Sequence, residues 1–239
     1  MITQRKIQVG GVEMTLETGR MAGLANGSIT VQYGETIVLC TATAAAKPDF
    51  SKGWFPLFVE YREQMYSAGK IPGGFFKREG RPGEKEVLSA RLIDRPCRPM
   101  FPDGYMHETQ LVCNVLSYDS TYDPDVLGIV GCGAATTISD IPFDGPVAGV
   151  RVALVDGEFL VYPTFDETEA SDIDVVVAGT ADSVVMVEGS AGEVSEEVLL
   201  GAIEAGQEAV AKICGAISDL NEEIGKPTME WAAPETDED

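Results

Sequence analysis

The sequence predicts an α+β protein, and three observations carry the prediction. Short segments of alternating apolar and polar residues, punctuated by Gly-containing turns, recur through most of the chain. Helical periodicity is confined to three stretches, near residues 83–95, 124–139 and 193–224, so strands come in runs and do not alternate one for one with helices. With 239 residues, 44% of them hydrophobic and 23% charged, the chain can bury one substantial core.

Taken in order, Arg5–Val9 and Val12–Leu16 alternate around Gly10-Gly11, which signals a hairpin. Ser28–Tyr33 and Thr36–Thr43 pair across Gly34-Glu35, and the near-continuous apolar run of the second predicts an interior strand. Phe55–Glu60 reads as a strand leading into a Gly-rich basic stretch and a helix over 83–95. Thr109–Tyr118 alternates as a strand, and Pro124–Ser139 is a helix whose small residues predict close packing on a sheet. Its Gly128, Gly131 and Gly133 lie inside an apolar run with no Lys-Ser/Thr after them, which argues against a phosphate loop. Val147–Val155 and Glu158–Tyr162 pair across Asp156-Gly157, and Asp172–Ala178 and Ser183–Glu188 turn near Ala181-Asp182. The acidic residues Asp166, Glu167, Glu169 and Asp172 read as a solvated hairpin and not as a metal site. Glu193–Ile224 is a long helix, and Gly225-Lys226-Pro227 ends it.

Charge is distributed very unevenly. Residues 1–98 hold 14 basic and 10 acidic side chains and residues 99–239 hold 3 and 29, formal charges of +4 and −26. Eight of the 17 basic residues fall between Lys70 and Arg98, so a protein of net charge −22 keeps one basic surface. Gly73-Gly74 before and Gly80 after Phe75, Phe76, Lys77 and Arg78 predict a mobile loop tipped by two aromatics and two cations. Pro82 in the first turn, Glu84 at the positive N-terminal end, the apolar stripe Val87, Leu88 and Leu92, and Pro96 as the stop define the helix that follows. Arg91 and Arg95 share one of its faces, and Arg98 extends the row if the last turn persists. Guanidinium groups match phosphate oxygens bidentately, and exposed rings stack on bases without sequence preference. Phe75, Phe76, Lys77, Arg78, Arg81, Arg91, Arg95 and Arg98 therefore suggest binding of a single-stranded nucleic acid. The residues alone leave a second reading equally open: rings that anchor the loop, and arginines paired with Glu79, Glu84, Glu86 and Asp94 on a solvated face.

The run FFKREGRPGEKEVLSARLIDRPCRPMFPDGY, residues 75–105, resembles the signature of the bacterial polyribonucleotide nucleotidyltransferase (polynucleotide phosphorylase) family in its first RNase PH-like domain. GSITVQYGETIVLCTATA and FPLFVEYRE before it, and IVGCGAATTISDIPFDGPVAGVRV and SDIDVVVAGT after it, fit the same domain in the same order. The resemblance implies the RNase PH-like β-α-β-α fold (ribosomal protein S5 domain 2-like) with a long C-terminal helix over residues 1–225. Residues 226–239 then begin a connecting helical segment or form a disordered acidic tail, and the chain is a fragment or a single domain of a longer protein. The implied activity is phosphorolytic 3′-to-5′ degradation of single-stranded RNA to nucleoside diphosphates. Inorganic phosphate is the co-substrate, Mg²⁺ serves the complete enzyme, and the assembly is a homotrimer.

The family's active second copy carries, in the segment resembling DIDVVVAGT, one aspartate, another six residues earlier and a lysine two residues later. Here those positions fall on Asp174, Thr168 and Val176, and the serines of the phosphate-binding turn fall on Asp125, Val126 and Leu127. The expectation is a catalytically silent copy in which Asp174 is a remnant of the pattern and this chain binds no metal, its contribution being RNA binding and ring assembly. The alternatives are an autonomous RNase PH-like phosphorolytic nuclease and a purely structural trimerisation domain.

Other chemistries find little support. Cys40, Cys97, Cys113, Cys132 and Cys214 are odd in number and lack a C-x-x-C pair, which disfavours disulfides and zinc and predicts buried thiols. The single histidine, His107, reads as an ordinary strand-start or loop residue. The N-terminus shows no apolar run of a signal peptide and no segment is long and apolar enough for a membrane helix, so the expected location is cytoplasmic, with no membrane partner.

Overall fold

A computed structural model describes residues 2–75 and 77–233. Strands β1 (Thr3–Val9), β2 (Val12–Thr18), β3 (Gly27–Tyr33), β4 (Thr36–Pro48), β5 (Leu57–Glu63) and β6 (His107–Ser117) form a sheet in the order β1-β2-β3-β4-β6-β5. Its pairs are antiparallel except β5 with β6, which run parallel because helix α1 (Glu84–Cys97) carries the chain back between them. Strands β7 (Ala148–Val155), β8 (Glu158–Val161), β9 (Ile173–Gly179) and β10 (Val184–Ala191) form an antiparallel sheet in the order β10-β9-β7-β8. Helices α2 (Pro124–Thr137), the short α3 (Phe165–Ala170) and α4 (Glu196–Ile224) complete the fold.

Two of the two-residue hairpins follow from their turn residues. Gly10 and Gly11 have φ of 59° and 80°, and Asp156 and Gly157 have 51° and 83°, the double left-handed conformation that matches the twist of the flanking strands.

Helix α2 is the centre of the molecule, with every residue from Pro124 to Thr136 buried. A helix enclosed on all sides has no polar face to keep, which explains its apolar and small residues from Val126 to Ala135. Its glycines cost about 0.5–1 kcal/mol each against alanine, but they let the neighbouring elements approach. A side chain at Gly131 would meet Cys40 and Val31 of the first sheet, and one at Gly133 would meet Val147, just before β7 of the second. On the far face of the second sheet, Gly206 of α4 rests against Val152 and Val177. Strands β7 and β9 are thus covered on both faces and lose the alternation of a half-exposed strand. All five cysteines are buried free thiols. Burial pushes Cys214 up to about 12 and holds Cys40 and Cys97 well above the ordinary range, which makes these thiols poor nucleophiles.

Several expected boundaries shift. β5 begins at Leu57 and not Phe55, because Phe55 turns into an aromatic cluster with Phe101 and Tyr105 at ring separations of 4.8 and 5.6 Å. Pro82 precedes α1, whose N-cap is Gly83. Pro96 does not stop α1: it lies inside it, and the chain continues to Cys97 and a 3-10 turn, Arg98–Met100. Burial of Leu92, Ile93, Pro96 and Cys97 outweighs the one backbone hydrogen bond that proline forfeits, whereas Val87 and Leu88, expected in the buried stripe, are exposed. The acidic segment around Asp166 is not a hairpin but α3, started by a Thr164–Glu167 capping box in which Thr164 Oγ1 accepts from Glu167 N and the Glu167 carboxylate accepts from Thr164 N. After α4, Lys226 N donates to Ile138 O and Met229 N to Asp140 O, while the Trp231 ring meets Tyr105 edge-on. The expected acidic tail, residues 234–239, lies outside the described residues. His107 opens β6, buried, with Nδ1 2.7 Å from Ala45 O and its ring stacked on Tyr105.

Candidate nucleic-acid interface

The basic loop is anchored at its base and open at its tip. Met65 N donates to Glu79 Oε1 and Oε2 at 3.1 and 3.2 Å, and Glu86 accepts from Glu63 N at 2.9 Å and Gly83 N at 2.6 Å. Beyond these ties, a Cβ built at Gly73, Gly74 or Gly80 would meet no atom within 4 Å. Gly74 and Gly80 are needed for conformation, with φ of 71° and 77°, and not for space. Phe75 is 94% exposed, and Lys77, Arg78 and Arg81 are exposed beside it. Phe76 lies outside the described residues. Among the described residues, Lys77, Arg78, Arg81 and Arg91 enter no salt bridge.

The arginines of α1 divide. Arg91 is exposed and borders a mainly apolar cleft of about 350 Å³ between α1 and β5, with Phe58, Val59, Val87 and Ala90. Arg95 pairs with Glu188 of β10. Arg98 does not continue an open row: its guanidinium donates to Asp94 and to the carbonyls of Phe55 and Leu57 at 3.3 and 3.2 Å, so it pins the start of β5.

Behind α1 lies a cleft of about 490 Å³ lined by the carboxylates of Glu84, Asp123, Asp125, Asp174 and Glu188 and the cations of Lys85 and Arg151. Strand register brings Arg151 of β7 opposite Val176 and diagonal to Asp174 on the same face of β9. Arg151 Nη1 donates to both oxygens of Asp174 at 2.6 and 2.8 Å, and Nη2 donates to Asp125 Oδ2 at 3.0 Å and lies 3.8 Å from Asp123 Oδ2. Lys85 Nζ completes the set at 2.9 Å from Glu63 and 3.2 Å from Asp123.

The N-terminal end of α2 faces this cluster, and its first amides are taken by its own acids. Asp125 N donates to Asp123 Oδ1, and Val126 N donates to Asp125 Oδ1. Burial, then the like charge of Asp123, push the Asp125 carboxyl up to about 6 against the pull of Arg151 and Lys85. Burial works against the charge of Arg151, yet Asp125, Asp174 and Asp123 together hold its pKa above the ordinary value. Three carboxylates are the donor type a hard divalent cation takes, but each is already paired to a resident cation. These residues do not fit a bound magnesium ion, and the carboxylates at the helix start repel an incoming phosphate.

The sequence matches the pattern described as the 3′ exoribonuclease family, domain 1, over residues 12–142, and that described as domain 2 over residues 145–209. The chain belongs to the 3′ exoribonuclease family. Similar relatives within it are polyribonucleotide nucleotidyltransferases. That of Solibacter usitatus is 53% identical over 233 residues, 98% of this chain and 33% of the relative. That of Rhodospirillum centenum is 49% identical over 238 residues, 100% of this chain and 34% of the relative. The chain therefore spans about a third of the length of the relatives it matches. The crystal structure of rice (Oryza sativa) Rrp46 superposes with a TM-score of 0.66 at 17% identity, covering 92% of this chain and 94% of that one, and bears out the RNase PH-like fold.

Of the positions on which the family's catalytic pattern falls, Asp174 and Asp125 meet at Arg151. Thr168 borders an adjoining recess of about 150 Å³, and its hydroxyl is spent on Thr164 O at 2.9 Å. Val176 is buried. The sequence reading missed Arg151, Asp123 and Lys85, which complete the cluster. An isolated arginine on a strand and an aspartate before a helix carry no signal until the strand register is known.

Proposed function

We propose that this chain is a catalytically silent RNase PH-like part of a polyribonucleotide nucleotidyltransferase, an enzyme that degrades RNA from its 3′ end by phosphorolysis to nucleoside diphosphates. In this reading the chain supplies RNA binding and ring assembly, and the chemistry belongs to another copy of the fold. The observation that carries it is Arg151, whose guanidinium sits among the carboxylates where reacting phosphate and Mg²⁺ would otherwise be received. The loop bearing Phe75, Phe76, Lys77, Arg78 and Arg81 grips single-stranded RNA, bases against rings and phosphates against cations. Arg91 adds an open cation on α1 and Arg95 a second one, shared with Glu188. Arg98 acts indirectly, by holding β5. In a homotrimer three such loops meet one strand, which raises affinity without any new contact. With one chain's net charge at −22, binding is local to this surface and sensitive to salt.

The test is incubation of the purified chain with poly(A), inorganic phosphate and Mg²⁺. The expected result is no nucleoside diphosphate. Release that persists in an Asp174→Ala control but is lost on changing another residue of this chain would instead establish an autonomous nuclease.

A further inference from the structure

We propose that the mainly apolar cleft of about 350 Å³ between α1 and β5 is a base-binding groove for single-stranded RNA. It takes the nucleotide next along the strand from those held by the basic loop, with the base against Phe58, Val87 on the opposite wall, and the phosphate on Arg91. The proposal rests on the reading of that loop as a grip for RNA and deepens it.

The cleft begins where the loop ends. Pro82 lines it, one residue after Arg81 and one before the N-cap of α1. Arg62 Nη2 donates to Gly80 O at 3.4 Å and Gly83 N donates to Glu86, so this end of the loop is fixed to β5 and to α1, the two walls of the cleft. Glu63 N donates to Glu86 near the start of the helix, and Arg98 after its end reaches Leu57 O, so strand and helix run in opposite directions. A strand leaving the loop therefore passes Val87 and then comes to Arg91 on one wall and Phe58 on the other. Two helical turns, about 11 Å, separate the start of α1 from Arg91.

The walls offer what an unstacked base and its phosphate need. Phe58 is 56% exposed and Val87 49%, an apolar surface left in water beside the one guanidinium that lines the cleft. Aromatic faces stack on bases of any sequence, and Arg91 enters no salt bridge among the described residues. The carboxylates nearby are mostly spent. Asp94 is paired with Arg98, and Glu86 accepts from two backbone amides and lies 3.5 Å from Arg62. Glu60 of β5 remains, unpaired among the described residues, and its charge turns a phosphate away from the strand and toward α1. Base toward Phe58 and phosphate toward Arg91 is the orientation that this charge pattern selects. The cleft thus repeats the chemistry of the loop, a ring beside a cation, along one continuous path.

The experiment measures binding of fluorescein-labelled oligo(A), and of the same oligomer made of abasic nucleotides, to the assembled protein by anisotropy over a range of salt. Wild type is compared with Phe58→Ser, Phe58→Tyr, Arg91→Gln and Arg78→Ala, each checked by thermal melting and sedimentation velocity. Phe58→Ser should weaken oligo(A) binding by about five- to a hundredfold with the salt slope unchanged, and should bind the abasic oligomer as wild type does. Phe58→Tyr, which keeps a ring, should bind oligo(A) as wild type does. Arg91→Gln should weaken both oligomers and shallow the slope of log K against log salt by roughly 0.7. Wild-type affinity of Phe58→Ser for oligo(A) overturns the proposal, and so does an equal loss on both oligomers. A Phe58→Ser protein that sediments differently while its RNA affinity is unaltered also overturns it, and makes the cleft a docking face for protein. If Arg78→Ala weakens binding while Phe58→Ser and Arg91→Gln do not, the cleft alone fails; if Arg78→Ala has no effect, the reading of the loop fails.

Discussion

Arg151 and Arg78 carry the same guanidinium group in opposite surroundings. Arg151 is enclosed between the second sheet, helix α1 and the start of α2, and it is bonded to two carboxylates within 3.0 Å and close to a third. Arg78 stands exposed on a loop anchored through Glu79, Gly80 and Glu86. The buried group is committed to the fold, because leaving its partners uncompensated is costly, while an exposed cation that enters no salt bridge among the described residues contributes almost nothing to stability. Within one chain of this family, charge in the acidic cleft is neutralised internally, and Lys77, Arg78 and Arg81 of the basic loop enter no salt bridge among the described residues. The position of a cation in the fold, more than its identity, decides whether it is structural or available.

The largest test of the contrast is Arg151→Met, which should destabilise the chain by about 3–5 kcal/mol, read as a lower urea midpoint at unchanged m-value. A loss below about 1 kcal/mol would mean that the cluster does not depend on its arginine. Arg98 sharpens the boundary. Although it belongs to the basic stretch, it donates to Asp94 and two backbone carbonyls, so Arg98→Ala should cost about 1–2 kcal/mol of stability. If Arg98→Ala instead leaves melting unchanged and weakens RNA binding, Arg98 belongs with the loop.

A smaller effect, one of direction, concerns Asp125. Its carboxyl is raised from 3.8 to about 6, so the folded chain keeps a proton through a window in which the unfolded chain has released it. Its contribution to stability is complete below that window and is lost as pH rises through it. The stability of wild type relative to Asp125→Asn should therefore fall between about pH 4 and 6, by parallel urea titrations; a rising difference would show that Arg151 controls the titration. The smallest structural effect is expected for Arg78→Ala, within about 0.5 kcal/mol of wild type in stability. In the assembled enzyme the same change should shallow the log K against log salt slope for single-stranded RNA by roughly 0.7. A drop in melting temperature with an unchanged slope would place Arg78 among the structural arginines.

The basic loop was readable because its signals are local: paired glycines, adjacent rings and cations within ten residues. Most strands and their turns were readable for the same reason, as Asp156-Gly157 shows. Helix α3 was not recognised because six residues are too short for a periodicity, although the Thr164–Glu167 capping pair was present in the sequence. Pro96 misled because proline's local cost is visible in a sequence and the burial that overrides it is not. The sequence reading expected Thr168, Val176 and Asp125 to be poor substitutes for catalytic groups, and it missed Arg151, which meets Asp125 and Asp174.

By itself the sequence determined the α+β class, the order of nearly every element, the separation of charge along the chain and the basic loop, all of which depend on neighbours a few residues apart. Only the tertiary structure decided which charges are spent. Arg151 lies 23 residues from Asp174 and 26 from Asp125, and it meets them only because the β7–β9 register and the start of α2 bring them to one side of the second sheet. A shift of one residue in that register would turn Arg151 to the opposite face and leave the carboxylates without their cation.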